Sequence, residues 1–251
     1  MKFKKNINYN TRKIHRYLGV IIGIQFLFWT IGGLYFSWNN MDDVHGETLI
    51  KQEKKYVKNI NFSQIQKGID TLEFDSIHSI NLIEVFGKPL TQFKYYNKNH
   101  LKTQLITETG KLRSAFSTQE SLKLVEQQLK EPIPIIKTEY LTQNDVGNHH
   151  EYREKTLPVY AFTLDHPTKT TIYVSPELGE ITSVRNNNWR RFDFLWMLHT
   201  MDYSTRDEIT NWALRILSVF GILTIFSGFF LFYLTSPSVK KMKKKASGKN
   251  S

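Results

Sequence analysis

Three histidines of this 251-residue chain lie next to its two most apolar segments: His15, His45 and His199. Neutral imidazole is a good axial ligand for haem iron, and two imidazoles on one porphyrin give a six-coordinate electron carrier. These positions therefore predict haem b binding. For each histidine the alternative is an ordinary hydrogen-bonded role at a membrane interface.

One pair, His45 with His199, can be brought together by a single chain on one side of a membrane. His45 follows the first apolar segment, and His199 precedes the second. His15 stands at the opposite mouth of the first segment, and no His, Met or Cys occurs between Ile216 and Val239. A haem held by His15 would therefore need a second chain.

Other chemistry is less well supported by the residue pattern. His149, His150 and Glu151 are adjacent, but neighbouring side chains on a loop diverge, so we expect no metal site there. The chain has no cysteine, which excludes disulfides, thiolate metal sites and cysteine catalysis. No Gly-rich phosphate loop and no Gly-x-Ser-x-Gly turn is present.

Both apolar segments have the length of a transmembrane helix. Residues 17–38 form an uncharged run of 22 residues, which spans about 33 Å as a helix and matches a bilayer core. Residues 216–239 are also uncharged. Within this run a helix is expected to stop at Ser236 and Pro237. The first segment is too long for a usual signal peptide and indicates an uncleaved anchor.

Cations are concentrated at the two ends of the chain. Of the 34 Lys and Arg, twelve lie in residues 1–16 and 240–251, which contain no acid; 22 cations and 23 anions remain between them. This distribution places both tails in the cytoplasm and predicts contact with anionic lipid. It excludes nucleic acid as a partner, because the central domain lacks a basic excess. The central domain should lie outside the cytoplasmic (inner) membrane, in the periplasm where the cell has one.

Two helices are expected between the central domain and the second tail. Residues 189–203 should form an interfacial helix, because Phe192, Leu195, Trp196 and His199 fall on one face. A capping box of Thr205 and Glu208 should start the next helix, over residues 206–235.

The central region contains an internal repeat with an offset of 69 residues. Phe93 falls on Phe162 and Gly110 on Gly179, and each glycine suits a hairpin turn. A short helix precedes each copy, capped by Ser63 in the first and by Ser117 or Thr118 in the second. The predicted fold class is α+β, with a helix and about three antiparallel strands used twice.

Three segments resemble the PepSY-associated transmembrane family, and the resemblance covers nearly the whole chain. They are Arg12–Gly19 (RKIHRYLG), Trp196–His199 (WMLH) and the turn Tyr173–Glu180 (YVSPELGE). The resemblance implies two PepSY-like units, over residues 62–116 and 117–188, after a linker over residues 39–61. Larger members of that family have about four transmembrane helices, and some resemble haem-containing ferric-siderophore reductases.

Two functions stay open. In the first, the protein is a haem-bearing oxidoreductase that passes electrons to a ferric chelate or to a partner at the outer face. In the second, it is a non-enzymatic accessory protein whose sheet edges recognise an envelope peptide or protein. The spacing Gly19-x-x-x-Gly23 would let a second helix approach closely and favours a homodimer.

Overall fold

The computed structural model describes residues 2–51, 57, 60–206 and 208–246, and the side chains within 9–242 of these ranges. The chain divides into two compact units. A helical unit combines residues 1–38 with 192–251, and a sheet unit comprises residues 39–191. The architecture is α+β, as predicted, with two antiparallel sheets and two long apolar helices.

The helical unit is built around a pair of long helices, α1 (Lys2–Trp38) and α6 (Trp212–Thr235). Residues 9–38 and 212–235 are long and apolar enough to cross a membrane. Because α1 is helical from Lys2, most of the predicted N-terminal tail continues the first helix. The expected stop at Ser236 is confirmed: Pro237 then occupies the first position of α7 (Pro237–Ala246). The basic residue Lys249 lies outside the described residues.

The predicted start of the second long helix is wrong. Its N-cap is Asn211, whose side chain accepts a hydrogen bond from the Leu214 amide. Thr205 instead donates its hydroxyl to Asp202, and the Glu208 amide donates to the same carboxylate at 2.9 Å. A buried Asp202 therefore organises this segment as a loop, which the pattern Thr-x-x-Glu does not reveal.

The sheet unit contains two sheets of four antiparallel strands, each with its strands in chain order. The first follows α3 (Phe62–Ile69) and the second follows α4 (Thr118–Gln128). The strands of the first sheet are β1 (Ser76–Val85), β2 (Lys88–Asn97), β3 (His100–Thr107) and β4 (Leu112–Arg113). Those of the second are β5 (Ile135–Leu141), β6 (Val159–Leu164), β7 (Thr171–Ser175) and β8 (Glu180–Arg185).

The repeat is confirmed at its four diagnostic positions. Phe93 lies in the second strand of the first sheet and Phe162 in the second strand of the other, and both are fully buried. Gly110 (φ +79°) and Gly179 (φ +66°) each lie between the third and fourth strands. Each copy has four strands rather than about three. The first strands, β1 and β5, do not align at the offset of 69 residues, so the repeat pattern predicts only the strands that follow them.

The two turn glycines also permit close packing. A Cβ on Gly110 would lie 2.2 Å from the Gln64 carbonyl oxygen of α3, and a Cβ on Gly179 would lie 2.5 Å from the Phe116 ring. In the first repeat the turn therefore packs on its own helix, whereas in the second it packs on the segment that joins the repeats.

The repeats share one apolar core, which contains residues of both sheets and of α4. At their junction the buried Gln92 side chain donates to the Leu178 carbonyl at 2.6 Å. The Phe116 amide donates to the Pro176 carbonyl at 2.9 Å. A satisfied buried polar contact of this kind fixes one arrangement of the repeats.

Two local expectations need correction. The α3 helix is capped by Asn61 rather than Ser63, whereas Ser117 caps α4 in a full capping box with Glu120. The predicted linker over residues 39–61 is partly structured by α2 (Met41–His45) and a 3₁₀ turn (Glu47–Leu49). Its residues 52–56 and 58–59 lie outside the described part.

Candidate functional site

One face of α1 is less exposed to the surroundings than the rest of the helix. Its members recur at steps of three and four residues, the spacing of a helix that packs along a neighbour. They are Thr11, His15, Leu18, Ile22, Gln25, Trp29, Gly32 and Phe36. Two of the predicted histidines, His15 and His199, contact other residues along this face.

His15 is held against α6 by a hydrogen bond. Its Nδ1 lies 2.7 Å from the Ser227 hydroxyl, and that hydroxyl donates its single proton to the Thr224 carbonyl at 2.7 Å. Ser227 must therefore accept from His15, so the Nδ1 of His15 carries a proton. In a neutral imidazole the lone pair then lies on Nε2, the atom that coordinates a metal when Nδ1 is engaged.

Gly228 makes room for the His15 ring. A Cβ at residue 228 would lie 3.3 Å from the Cε1 atom of His15, tighter than an ordinary carbon contact. Gly228 therefore lets the two helices approach closely beside the ring. Its contact with a histidine appears only in the structure.

His199, in α5 (Asn187–Thr200), is fixed by aromatic rings. It stacks on Trp196 with 6.1 Å between ring centroids, and lies 5.8 Å from Trp29 and 6.0 Å from Phe36. Among the described residues its buried Nδ1 has no hydrogen-bond partner. A buried polar atom without a partner costs free energy, and a nitrogen lone pair is the group that a metal can satisfy.

Side chains of α1 also fix the end of α5. Gln25 Nε2 donates to the Leu198 carbonyl at 3.1 Å, and Trp29 Nε1 donates to the His199 carbonyl at 2.7 Å. Asn211 Nδ2 donates to the Thr200 carbonyl at 2.8 Å. The last carbonyls of a helix lack partners within it, so these three donors hold His199 in place. Sequence reasoning missed Gln25, although an amide within an apolar helix is a signal of such a contact.

The loop after α5 is anchored by two buried carboxylates. Asp193 accepts from Arg206 Nη1 at 2.7 Å. Asp202 accepts from the Thr205 amide at 3.1 Å and from the Ser204 hydroxyl at 2.8 Å. Burial alone would raise the pKa of Asp202, but its hydrogen bonds from Thr205, Glu208 and Ser204 outweigh burial and hold that pKa far below the ordinary value.

His45 belongs to the sheet unit, at the C-terminal end of α2. Its side chain is 50% exposed and its Nδ1 lies 3.9 Å from Glu47 Oε1. The position of α2 is fixed by Asn186, whose Nδ2 donates to the Asp43 carbonyl at 2.6 Å. The pairing of His45 with His199 stays a prediction.

Within the helical unit, His15 and His199 lie at different levels. His199 approaches Gly32, which is 17 residues beyond His15 on α1, a distance of about 26 Å along the helix axis. This separation is too large for the two histidines of one chain to bind the same porphyrin.

Two of the other histidines take part in local hydrogen bonds. His150 Nδ1 accepts from the Tyr152 amide at 3.0 Å, and His166 Nδ1 lies 2.6 Å from the Thr168 hydroxyl. Glu151 is already bound by Arg190 at 2.6 Å. Over the described ranges, no group of three His, Cys, Asp or Glu side chains is arranged to hold a metal ion.

Comparisons of this chain with protein-family models, with curated proteins and with solved structures find no match.

Proposed function

We propose that this protein is a membrane-anchored haem protein of the PepSY-associated type, with a role in iron or siderophore reduction at the outer face of the cytoplasmic membrane. Its two apolar helices would span the bilayer. The contact of His15 with Ser227 places the start of α1 beside the later part of α6, so the two helices are antiparallel. This arrangement supports the prediction that both basic tails lie on the cytoplasmic side.

The observation that carries the haem proposal is the hydrogen-bond chain from His15 through Ser227 to Thr224. It engages Nδ1 of His15 and leaves Nε2 as the ring nitrogen that can coordinate a metal, inside an apolar helix pair. The hydrogen bond at Nδ1 also fixes the orientation of the ring.

His199 fits a ligand role for a different reason. Its Nδ1 is buried and without a partner in the described part of the chain, and four groups (Trp29, Phe36, Trp196 and Gly32) restrict its ring. When bound, haem supplies one-electron transfer by its iron. The protein's part is to position one imidazole at each level and to keep water away from both.

A haem held by His15 or by His199 would need a second protein ligand, and neither α1 nor α6 contains another His, Met or Cys. A second copy of the chain would supply a second His15 and a second His199, which accords with the predicted homodimer. For His199 the alternative second ligand is His45, as the sequence predicts.

The test is the visible spectrum of the full chain purified in detergent from haem-replete cells. We expect a sharp low-spin spectrum that shifts on reduction, because nitrogen fills both axial positions. His15→Ala and His199→Ala should each remove haem or convert part of it to high spin. The control His149→Ala should keep the wild-type spectrum. A chain that carries no haem would refute the proposal.

A second candidate function, the accessory binding module, is favoured by the edge of the first sheet. The ten-residue strand β1 lies at this edge and exposes Ile77 (52%) and Ile80 (48%). Unpaired backbone groups beside apolar side chains can accept an added strand. A photo-crosslinking residue at position 80 should then give a discrete protein adduct in cells. The same residue at Tyr96, exposed on the inner strand β2 and paired on both sides, should give none.

A further inference from the structure

A cleft of about 390 Å³ opens in the first repeat of the sheet unit. It lies between the β1–β2 turn, the β3–β4 turn and the segment before α4, which contains Phe116. Its volume falls within the range of sites for small organic ligands. All of its lining residues belong to the sheet unit, so a ligand bound there would not depend on haem in the helical unit.

The floor of the cleft is apolar. Val85, Leu90 and Phe116 line it and are each at least nine-tenths buried. Phe86 forms one wall, with its ring centroid 6.2 Å from that of Phe116. The Arg113 guanidinium covers the Phe116 ring, with 4.0 Å between Cζ and the ring centroid, so Phe86 is the more accessible of the two rings and offers a surface suited to a flat, aromatic group.

Phe86 is an unusual residue for its place in the backbone. It forms a two-residue hairpin turn with Gly87, and both have positive φ angles, +54° and +74°. Such turns favour Asn followed by Gly, and a bulky residue with positive φ is strained. The turn itself does not require an aromatic residue here; the ring packs partly against the apolar core and partly forms the wall of the cleft.

The rim of the cleft is basic. Lys88, Lys111 and Arg113 line it with a single acid, Glu108. Arg113 is neutralised by Glu120, with 2.6 Å between Nη2 and Oε1. Lys88 and Lys111 are exposed, and no described carboxylate forms an ion pair with either. Two ammonium groups above an apolar floor complement a negative charge attached to an apolar body.

We infer that this cleft binds a small anionic aromatic compound of the aryl carboxylate class. Its ring would lie against Phe86, above the apolar floor of the cleft, and its carboxylate would be bound by the ammonium groups of Lys88 and Lys111. Lysine ammonium groups are mobile point charges, so they accept carboxylates in several orientations.

The experiment uses the full chain in lipid nanodiscs, with empty nanodiscs to subtract partition into lipid. Three probes of matched shape are titrated by calorimetry: 1-naphthoate, the neutral 1-naphthamide and the cationic 1-naphthylmethylamine. We expect saturable binding of 1-naphthoate alone, weakened by added salt. No saturable binding, or equal binding of the neutral probe, would overturn the inference.

Variants locate the site. Lys88→Glu and Lys111→Glu should each weaken 1-naphthoate binding by at least about tenfold, since each reverses a charge next to the carboxylate. Lys102→Glu, on β3 but not in the lining of the cleft, should leave binding unchanged. If all three variants bind 1-naphthoate as the wild type does, the cleft is not its site.

Phe86→Asn separates ligand binding from folding. Asn before Gly suits the turn, which offsets part of the packing lost when Phe86 is removed from the edge of the core, so this variant should stay folded at the temperature of the titration. It should nevertheless lose most of its affinity for 1-naphthoate, because the aromatic wall is gone. A folded Phe86→Asn protein with wild-type affinity would refute the role of the ring. Since every residue that lines the cleft belongs to the sheet unit, the result of the titration is independent of the haem proposal.

Discussion

The two repeats of the sheet unit have the same strand order but join their first two strands differently. In the first repeat, β1 and β2 are joined by Phe86 and Gly87 alone, whereas residues 142–158 join β5 and β6 in the second. The short turn leaves an aromatic side chain beside a cleft. The long connection instead supplies Tyr152, which is fully buried. The repeated core thus tolerates different connections, and those connections give each repeat its own contacts.

The largest predicted effect tests what the repeats share. Phe93→Ala and Phe162→Ala should each lower the free energy of unfolding by about 3–5 kcal/mol, because both rings are fully buried. Chemical denaturation of the full chain in detergent measures both. If one substitution cost less than about 1 kcal/mol, the two positions would not be equivalent.

A second prediction concerns the long connection. Glu151 accepts from Arg190 Nε at 2.6 Å and from the Tyr173 hydroxyl at 2.7 Å. Burial, aided by the Glu151 charge, raises the pKa of Tyr173, so that the phenol stays a hydrogen-bond donor. Glu151→Ala should cost about 1–3 kcal/mol, because it removes the acceptor of the buried Tyr173 hydroxyl and one partner of a partly exposed ion pair.

The control is Glu154→Ala, three residues along the same connection and exposed, which should change stability by less than about 0.5 kcal/mol. Equal effects of the two substitutions would show that the Glu151 contacts do not stabilise the second repeat.

A third prediction compares the turn glycines. Gly110→Ala and Gly179→Ala both place a side chain at positive φ, a strain of about 1–3 kcal/mol. Gly110→Ala should cost more, because its Cβ meets the Gln64 backbone oxygen, whereas at Gly179 it meets the Phe116 side chain. Gly87 also has positive φ, but a Cβ added there meets no atom within 4 Å. The Gly87→Ala variant therefore measures the backbone strain without a clash. Thermal unfolding of the three variants gives the order of their stability losses. A larger loss for Gly179→Ala than for Gly110→Ala would contradict the prediction.

The smallest effect is a pH dependence that only the second repeat should show. The hydrogen bond from the Ser117 amide, reinforced by the Ser117 hydroxyl and the Arg113 charge, lowers the pKa of Glu120 below 4.5, against an opposing effect of burial. This contribution to stability is present above pH 4.5 and is lost as pH falls through the folded-state pKa. Asn61, which caps α3, does not titrate.

The measurement is the denaturation midpoint at pH 7 and pH 3, for the wild type and for Glu120→Gln. The wild type should lose more stability on acidification than the variant does. Identical losses would mean that Glu120 does not contribute to the acid sensitivity of α4.

The fold could be predicted where local pattern decides it. The turn glycines and buried phenylalanines gave the repeat, because a positive φ and a fully buried ring each restrict the residue type. The first strand of each repeat was missed. The caps Asn61 and Ser117 lie 56 residues apart but Gly110 and Gly179 lie 69 apart, so one offset cannot align both halves of a repeat.

The candidate site was only partly predictable. The apolar segments next to His15 and His199 identify both residues as candidates. The predicted shared face of Phe192, Trp196 and His199 is confirmed, because all three contact Phe36. The partners of the histidines are far away in sequence: Ser227 is 212 residues from His15. A contact of that range depends on how the helices pack, which residue spacing within one helix does not determine.

The central claim is that the histidines of the helical unit hold haem. Its most direct test is the haem-to-protein ratio of the purified full chain, beside that of the double variant His15→Ala/His199→Ala. The wild type should carry haem with a low-spin spectrum, and the double variant should be colourless while it retains the circular dichroism of the wild type. A wild type without haem, or a double variant with its haem content unchanged, would contradict the claim.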